Sequence, residues 1–242
     1  MPNSFAPNGT FATWPGPASS ASLTSWIREL GILSECLVSP PPFPIDAVRG
    51  RGEAVIIMPG FCSPNISTSR LRQFLSHQGF SPEPWELGVN IGPTPLTMSG
   101  LTTQLKSRAT ERGPLALVGI SLGGVIAREM AKRHPELVTR VITLASPIRL
   151  PVPTPLAPLA QLCSLLWEES ARASFDRVVE PPPVPVTAVI TTDDGLVDWR
   201  SCLPPSAPNV EVVHVRGAHC TIASNPDVQR IVVARLAERP VD

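Results

Sequence analysis

Residues 115–128 have the sequence LALVGISLGGVIAR, and this stretch decides how the surrounding chain is organised. Its apolar run over residues 115–118 favours a buried strand, and the residues after the serine favour a helix. Between the two, Ser121 lies on a sharp turn where the residues two positions away on each side must be small. Gly119 and Gly123 meet that steric demand. The stretch therefore predicts a strand, a strained turn that presents a serine, and a helix that begins at the turn.

Similar apolar runs recur along the chain and are separated by helix-like segments. The strand-like runs are residues 54–58, 115–119, 138–144, 186–191 and 210–215, and the helix-like segments are residues 68–78, 97–112, 122–133 and 227–238. Strands that are apolar on both faces are typical of a parallel sheet that helices cover on both sides. The pattern predicts an α/β fold with a mostly parallel sheet of about six strands.

The composition favours a globular protein and excludes several classes of partner. Of the 242 residues, 43% are hydrophobic and 17% are charged, which is enough to bury a substantial core. Twenty basic and twenty acidic residues leave no basic field for nucleic acid. We expect no integral membrane span, no secretory signal and a cytoplasmic location. The sequence leaves the oligomeric state open.

Five scattered cysteines without a CxxC pair argue against a disulfide framework and against a zinc site. We therefore expect no metal and no cofactor. One pairing stays open: Cys202 and Cys220 lie in two loops that must converge if the candidate site forms, so they are either bridged or separate thiols.

Thirty prolines, more than twice the usual share of roughly 5%, mark the irregular parts of the chain. They cluster at residues 2–44, 147–158 and 181–185. Because proline interrupts helices and central strands, these clusters predict extended segments. We expect an N-terminal arm and helix over residues 1–45, the helix near residues 21–38, and a main domain over residues 46–242 with a short Pro-rich cap or lid at about residues 148–185.

Ser121 has the setting of a catalytic nucleophile, but a serine hydroxyl needs a base to take its proton. The chain has four histidines. His77 and His134 fall in or at the end of predicted helices, and His214 lies within a predicted strand. His219 follows the last strand, where a base could reach the serine, so we predict His219 as the base.

In α/β-hydrolases, which the turn at Ser121 resembles, the acid that orients such a histidine follows the preceding strand. That strand runs into three carboxylates, Asp193, Asp194 and Asp198. We favour Asp194, because the Gly-Leu-Val that follows it predicts a turn pointing its side chain over the sheet edge. Asp193 and Asp198, typical of capping or turn-forming carboxylates, remain the alternatives.

Acyl transfer also needs two backbone amides that bind the developing oxyanion. One is predicted to be the amide of Leu122, directly after the nucleophile. The other is expected in the sequence MPGFC at residues 58–62, where Gly60 permits a close turn. We predict the amide of Phe61 as the second donor, with Cys62 as the alternative.

Together these motifs resemble the lipase and esterase branch of the α/β-hydrolase superfamily. The matching stretches are residues 55–61, 85–92, 118–128, 141–147, 194–197 and 217–219. The resemblance implies the α/β-hydrolase fold, with Ser121, Asp194 and His219 as the catalytic triad. Two positions depart from the pattern: Ile120 and Pro59 stand where many relatives have histidine.

The expected activity is hydrolysis of a small-molecule carboxylic ester or a lipid-like acyl substrate. Ile148, Leu196 and Val197 are expected to contact the substrate. The same machinery would serve a thioesterase, an amidase or an acyltransferase, and a non-catalytic scaffold with this fold is the alternative from another class.

The proposed cap carries an apolar stripe at helical spacing, which has two interpretations. The stripe consists of Leu156, Leu159, Leu162, Cys163, Leu166 and Trp167. It belongs either to a surface helix that buries the stripe against the domain, or to a lid that covers an acyl-binding cleft.

Overall fold

A computed structural model of the protein describes residues 50–149, 152, 154–170 and 177–238. The predicted N-terminal arm and its helix lie outside these residues. The strands are β1 (Ala54–Met58), β2 (Ser81–Glu83), β3 (Leu115–Ile120), β4 (Val138–Leu144), β5 (Val186–Thr191) and β6 (Val210–Val215). The helices are α1 (Ser69–His77), α2 (Pro95–Arg112), α3 (Leu122–Arg133), α4 (Ala157–Ser164) and α5 (Pro226–Ala237).

The six strands form one sheet in the order β2-β1-β3-β4-β5-β6, and each neighbouring pair is parallel. The predicted parallel sheet of about six strands is thus confirmed. β2 was not among the predicted strands, because its sequence is only Ser-Pro-Glu. Proline is tolerated at a sheet edge, which is where β2 lies.

Helices cover both faces of the sheet, and alternate residues of each strand face different helices. In β1, Val55 and Ile57 pack into one core cluster with α1 and α5, whereas Ile56 and Met58 pack into a second cluster with α2 and α3. All five β1 residues are buried. This two-sided burial explains why the strands read as continuous apolar runs.

The parallel arrangement brings the candidate catalytic residues to one edge of the sheet. The carboxyl ends of all six strands lie at the same edge, and functional loops in such sheets emerge there. Ser121 follows β3, Asp194 follows β5 and His219 follows β6. The turn that begins at Pro59 follows β1 at the same edge.

Among the described residues, α2 is the longest helix, and neither it nor any other is both long and apolar enough to cross a bilayer.

The segment between β4 and β5 contains α4, whose stripe is not buried against the domain. No residue of α4 is buried, and Leu162, Leu165 and Leu166 are 63%, 70% and 60% exposed. Trp167 is half-buried, and its indole Nε1 donates a hydrogen bond to the Ile91 carbonyl at 2.8 Å. The interpretation in which a surface helix buries the leucines therefore does not match the structure, and the bounds of the cap stay a prediction.

A buried arginine fastens the end of this segment to α3. The Arg128 side chain is 1% exposed and donates through one terminal nitrogen to the carbonyls of Val178, Val179 and Glu180 at 3.1–3.2 Å. Burial lowers the pKa of Arg128 to about 10, so the guanidinium is charged at neutral pH. Because no carboxylate balances the charge in these bonds, the three carbonyls supply its solvation.

Replacing Arg128 by methionine should destabilise the fold by leaving those carbonyls unpaired. We expect Arg128→Met to lower the free energy of unfolding by roughly 1–3 kcal/mol, measured by urea denaturation followed by circular dichroism. Arg230, whose exposed side chain pairs with Asp227 on α5, provides the control. Arg230→Met should cost less than about 1 kcal/mol, and equal losses in both variants would contradict the role given to Arg128.

Candidate active site

Ser121 adopts a backbone conformation that non-glycine residues rarely adopt. It joins β3 to α3 with φ +51° and ψ −122°. Conformations of this kind cost about 1–3 kcal/mol and persist where the surroundings enforce them. Here the Ser121 amide donates to the Leu144 carbonyl at 2.8 Å, and the Ser121 carbonyl accepts from the Gly124 amide at 2.9 Å. This is the strained turn that the sequence predicted.

The glycines around Ser121 are required by close backbone packing. A Cβ placed on Gly123 would lie 2.5 Å from the carbonyl oxygens of Met58 and Pro59. A Cβ on Gly119 would collide with the backbone of Gly123 and Gly124. The beginning of α3 thus rests directly on β3 and on the end of β1, which explains why the residues two positions from Ser121 must be small.

Asp194 and His219 form a short, buried pair. The distance between His219 Nδ1 and Asp194 Oδ2 is 2.6 Å, and the two side chains are 8% and 1% exposed. The other carboxylate oxygen, Oδ1, accepts from the amides of Leu196 at 2.9 Å and Val197 at 2.8 Å. These two hydrogen bonds from backbone amides hold the carboxylate in place, so it can fix the orientation of the imidazole.

The alternative carboxylates have different partners. Asp193 Oδ2 accepts from Arg216 Nε at 2.7 Å and from the Gly217 amide at 3.2 Å. Asp198 Oδ1 accepts from the Arg200 amide at 3.0 Å and caps the short 3₁₀ turn Trp199–Cys202. Of the three carboxylates considered, Asp194 is the one that the structure places against His219.

The remaining histidines have other surroundings. His77 Nδ1 lies 2.7 Å from the Gln73 carbonyl oxygen on α1. His134 Nε2 lies 3.3 Å from Thr102 Oγ1. The ring of His214 on β6 meets the ring of Trp199 edge to face, with 6.0 Å between centroids. None of these three contacts involves Ser121 or Asp194.

The two amides predicted as oxyanion donors belong to Leu122 and Phe61, which lie close to Ser121 in the structure. Leu122 is the first residue of α3, whose dipole places partial positive charge at this end. Phe61 lies in the turn after β1, and a Cβ placed on the adjacent Gly60 would lie 3.5 Å from Ser121 Cβ. Within the part of the chain that the structure describes, neither amide donates to a protein acceptor. The alternative donor, Cys62, gives its amide to the Asn90 carbonyl at 2.8 Å.

The residues predicted to contact the substrate are packed in the interior. Ile148 clusters with Val125 and Val178, and it is 2% exposed. Leu196 and Val197 pack in a separate buried cluster. All three stay predicted substrate contacts, but in this structure they present little surface to a cleft.

Asn90 is a residue of the candidate site that the sequence did not identify, because an asparagine in a loop is typical of an ordinary turn. It is fully buried, and it hydrogen-bonds to the turn that carries Phe61. Its partners in that turn lie about thirty residues away in sequence, so no local pattern identifies them.

The cysteines are all unbridged in the described residues, including Cys202 and Cys220. Burial, and then the nearby Asp194 carboxylate, raise the pKa of the Cys202 thiol, which keeps it protonated. The described residues also contain no group of three or more His, Cys, Asp or Glu side chains that could hold a metal ion.

Comparisons with known proteins agree with this architecture. A family profile described as the alpha/beta hydrolase fold matches residues 98–170. The search of curated protein sequences gives no significant match.

Three solved structures illustrate the similarity. The monoacylglycerol lipase of Paleococcus ferrophilus superposes with a TM-score of 0.59 at 16% identity, covering 78% of this chain and 96% of that chain. Alpha/beta hydrolase domain-containing protein 10 from mouse gives a TM-score of 0.51 at 17% identity, covering 77% of this chain and 89% of that chain. A thioesterase domain from the curacin biosynthetic pathway gives a TM-score of 0.50 at 14% identity, covering 77% of this chain and 91% of that chain. The sheet order, the profile match and these structural similarities together show that the chain has the α/β-hydrolase fold.

Proposed function

We propose that this protein is a serine hydrolase that cleaves carboxylic esters through an acyl-enzyme. Ser121 is the nucleophile, His219 is the general base and Asp194 orients the histidine. The observation that carries the proposal is the 2.6 Å contact between His219 Nδ1 and Asp194 Oδ2, at the sheet edge from which the strained Ser121 emerges.

The geometry of the pair supports a different role for each imidazole nitrogen. Asp194 accepts a hydrogen bond from Nδ1–H, so Nε2 is the nitrogen that takes the proton of Ser121. Ser121 Oγ then attacks the ester carbonyl, and the carbonyl oxygen gains negative charge. The amides of Phe61 and Leu122 donate hydrogen bonds to that oxygen.

Collapse of this intermediate completes the first half of the reaction. The ester C–O bond breaks, and the alcohol leaves with the proton that His219 holds. Water then attacks the acyl-enzyme while His219 takes one of its protons. The second tetrahedral intermediate releases the acid, and the proton returns to Ser121 Oγ.

The surroundings favour an apolar acyl group or a lipid-like ester. Residues 150–167 contain no charged side chain, and α4 and the residues after it expose Leu162, Leu165 and Leu166. Removing such leucines from water on binding an apolar group is favourable by roughly 25 cal/mol per Å². An acyl chain would reach Ile148, Leu196 and Val197 only after rearrangement, because those side chains are buried.

The rates of hydrolysis of esters and of thioesters would show which of the two classes the enzyme prefers. Two of the structural relatives are a lipase and a thioesterase domain, and one triad can attack either kind of bond. A chain-length series of p-nitrophenyl esters, compared with acyl thioesters of the same length, ranks the substrate classes by kcat/KM.

Ser121→Ala should abolish ester hydrolysis and leave the fold intact. We expect kcat to fall by about 10,000-fold or more, because the oxyanion amides and substrate binding alone retain little of the rate. A fluorophosphonate probe should label the unmodified protein at Ser121 and should not label the variant. Ser99→Ala, an exposed position on α2, is the control that should keep both activity and labelling.

Two results would overturn this assignment. Retention by Ser121→Ala of more than about a tenth of the activity would exclude Ser121 as the nucleophile. Failure of the folded, unmodified protein to react with the probe would favour a non-catalytic scaffold.

Asp194→Asn should cost far more activity than the same change at Asp193 or Asp198. The asparagine no longer holds the imidazole in the productive tautomer, which lowers kcat by about 10,000-fold in a comparable triad. Asp193→Asn and Asp198→Asn alter a contact with Arg216 and a turn cap, so we expect less than about tenfold. Steady-state kinetics on one p-nitrophenyl ester compares the three, and a larger loss at Asp198 would identify that residue as the acid instead.

A further inference from the structure

Asn90 lies in the loop between β2 and α2 and is 0% exposed. Its backbone amide donates to the Ser63 carbonyl at 3.1 Å, and its backbone carbonyl accepts from the Cys62 amide at 2.8 Å. Its side-chain Nδ2 donates to the Pro59 carbonyl at 2.7 Å. Three hydrogen bonds from one buried residue thus reach both ends of a single turn, residues 59–63.

This turn carries the Phe61 amide, and its conformation needs support. Cys62 has a φ of +55°, in the left-handed region that a side chain with a Cβ rarely adopts. The hydrogen bond from its amide to Asn90 holds that conformation. The same hydrogen bond occupies the Cys62 amide. The neighbouring Phe61 amide, by contrast, has no protein acceptor within the described residues.

Asn90 is itself held from the opposite side. Its Oδ1 accepts from the Gly92 amide at 3.0 Å. Gly92 has no room for a Cβ, because the Trp167 indole packs against it, and Trp167 Nε1 donates to the Ile91 carbonyl. The Glu168 amide adds a hydrogen bond to the Pro93 carbonyl at 2.9 Å. The loop around Asn90 is therefore clamped between the turn after β1 and the chain that follows α4.

We propose that Asn90 is a positioning residue for the oxyanion hole. Its side-chain amide and backbone fix the turn so that the Phe61 amide, rather than the Cys62 amide, points at the reacting carbonyl. Asn90 does not touch the substrate; it acts through the turn. The inference rests on the proposed function and adds a determinant of transition-state binding to it.

Asn90→Asp is the sharpest test, because the side chain keeps its size and loses the Nδ2 donor. A carboxylate oxygen then faces the Pro59 carbonyl oxygen, and the turn must shift. A displacement of about 1 Å at a catalytic donor can cost about 100-fold in rate. We expect kcat for a p-nitrophenyl ester to fall at least about tenfold, with KM changed less than about threefold.

A second measurement separates positioning from general loss of structure. An alkyl trifluoromethyl ketone binds as a hemiketal whose oxygen occupies the oxyanion position. Its affinity should weaken in Asn90→Asp by the same factor as kcat/KM. If the aspartate variant does not fold, Asn90→Ala takes its place in the test, because it removes the same donor without adding a charge. It should show the same loss of kcat and of ketone affinity.

Asn209 provides the matched control. Its Nδ2 also donates to backbone carbonyls, those of Pro182 and Val184 at 2.8 Å, but it lies just before β6 and away from the turn. Asn209→Asp should lower thermal stability while leaving kcat per folded molecule and ketone affinity within about twofold.

The outcomes distinguish the two proposals. If the unmodified protein hydrolyses esters, and Asn90→Asp loses no more kcat per folded molecule than Asn209→Asp, the positioning role is wrong and the proposed function stands. A rise in KM alone, with kcat and ketone affinity retained, also overturns it. If the unmodified protein neither hydrolyses esters nor binds the ketone, the proposed function fails and the positioning role fails with it.

Discussion

The contact between the beginning of α3 and the end of β1 governs the geometry of the whole candidate site. Gly123 approaches the carbonyls of Met58 and Pro59 so closely that no side chain fits between them. Because β1 and β3 are adjacent in the sheet, this contact fixes the helix relative to the turn after β1. One predicted oxyanion donor lies on each of these two elements, and the strained Ser121 directly precedes the donor on α3.

The Asp194–His219 pair depends on β5 and β6, the last two strands in the sheet order. β5 and β6 are paired over six registered positions, from Val186 with Val210 to Thr191 with Val215. Their following loops are joined by the Thr191 hydroxyl, which donates to the Gly217 carbonyl, and by Asp193, which bonds to Arg216. Asp193 is thus a support of the histidine loop, whereas its neighbour Asp194 meets the imidazole. Two adjacent carboxylates serve different purposes because successive side chains point in different directions.

The features that could be predicted from the sequence are those with a local physical cause. The glycines two positions from Ser121 follow from backbone crowding, and the strands follow from burial on both faces. β2 escaped prediction because three residues with a proline carry no periodicity. The burial of Ile148 could not be foreseen either, since it depends on Val178, thirty residues further along the chain. Asn90 likewise could not be identified from the sequence, because its neighbourhood resembles an ordinary turn. Its hydrogen-bond partners at residues 59–63 come near it only in the folded chain.

Helix α3 has two attachments that belong to different parts of the molecule. It begins directly after Ser121, the proposed nucleophile, and its first residue, Leu122, carries a proposed oxyanion donor. Its second turn holds residues 178–180 through Arg128, and Lys132 donates to the Arg177 carbonyl at 2.7 Å near the end of the helix. The same helix is therefore a common frame for chemistry and for the end of the segment that precedes β5. Substitutions on its buried face will show non-additive effects when combined with changes at either attachment, because each perturbs a shared rigid body. Double-mutant cycles along α3 would measure how strongly its two attachments are coupled.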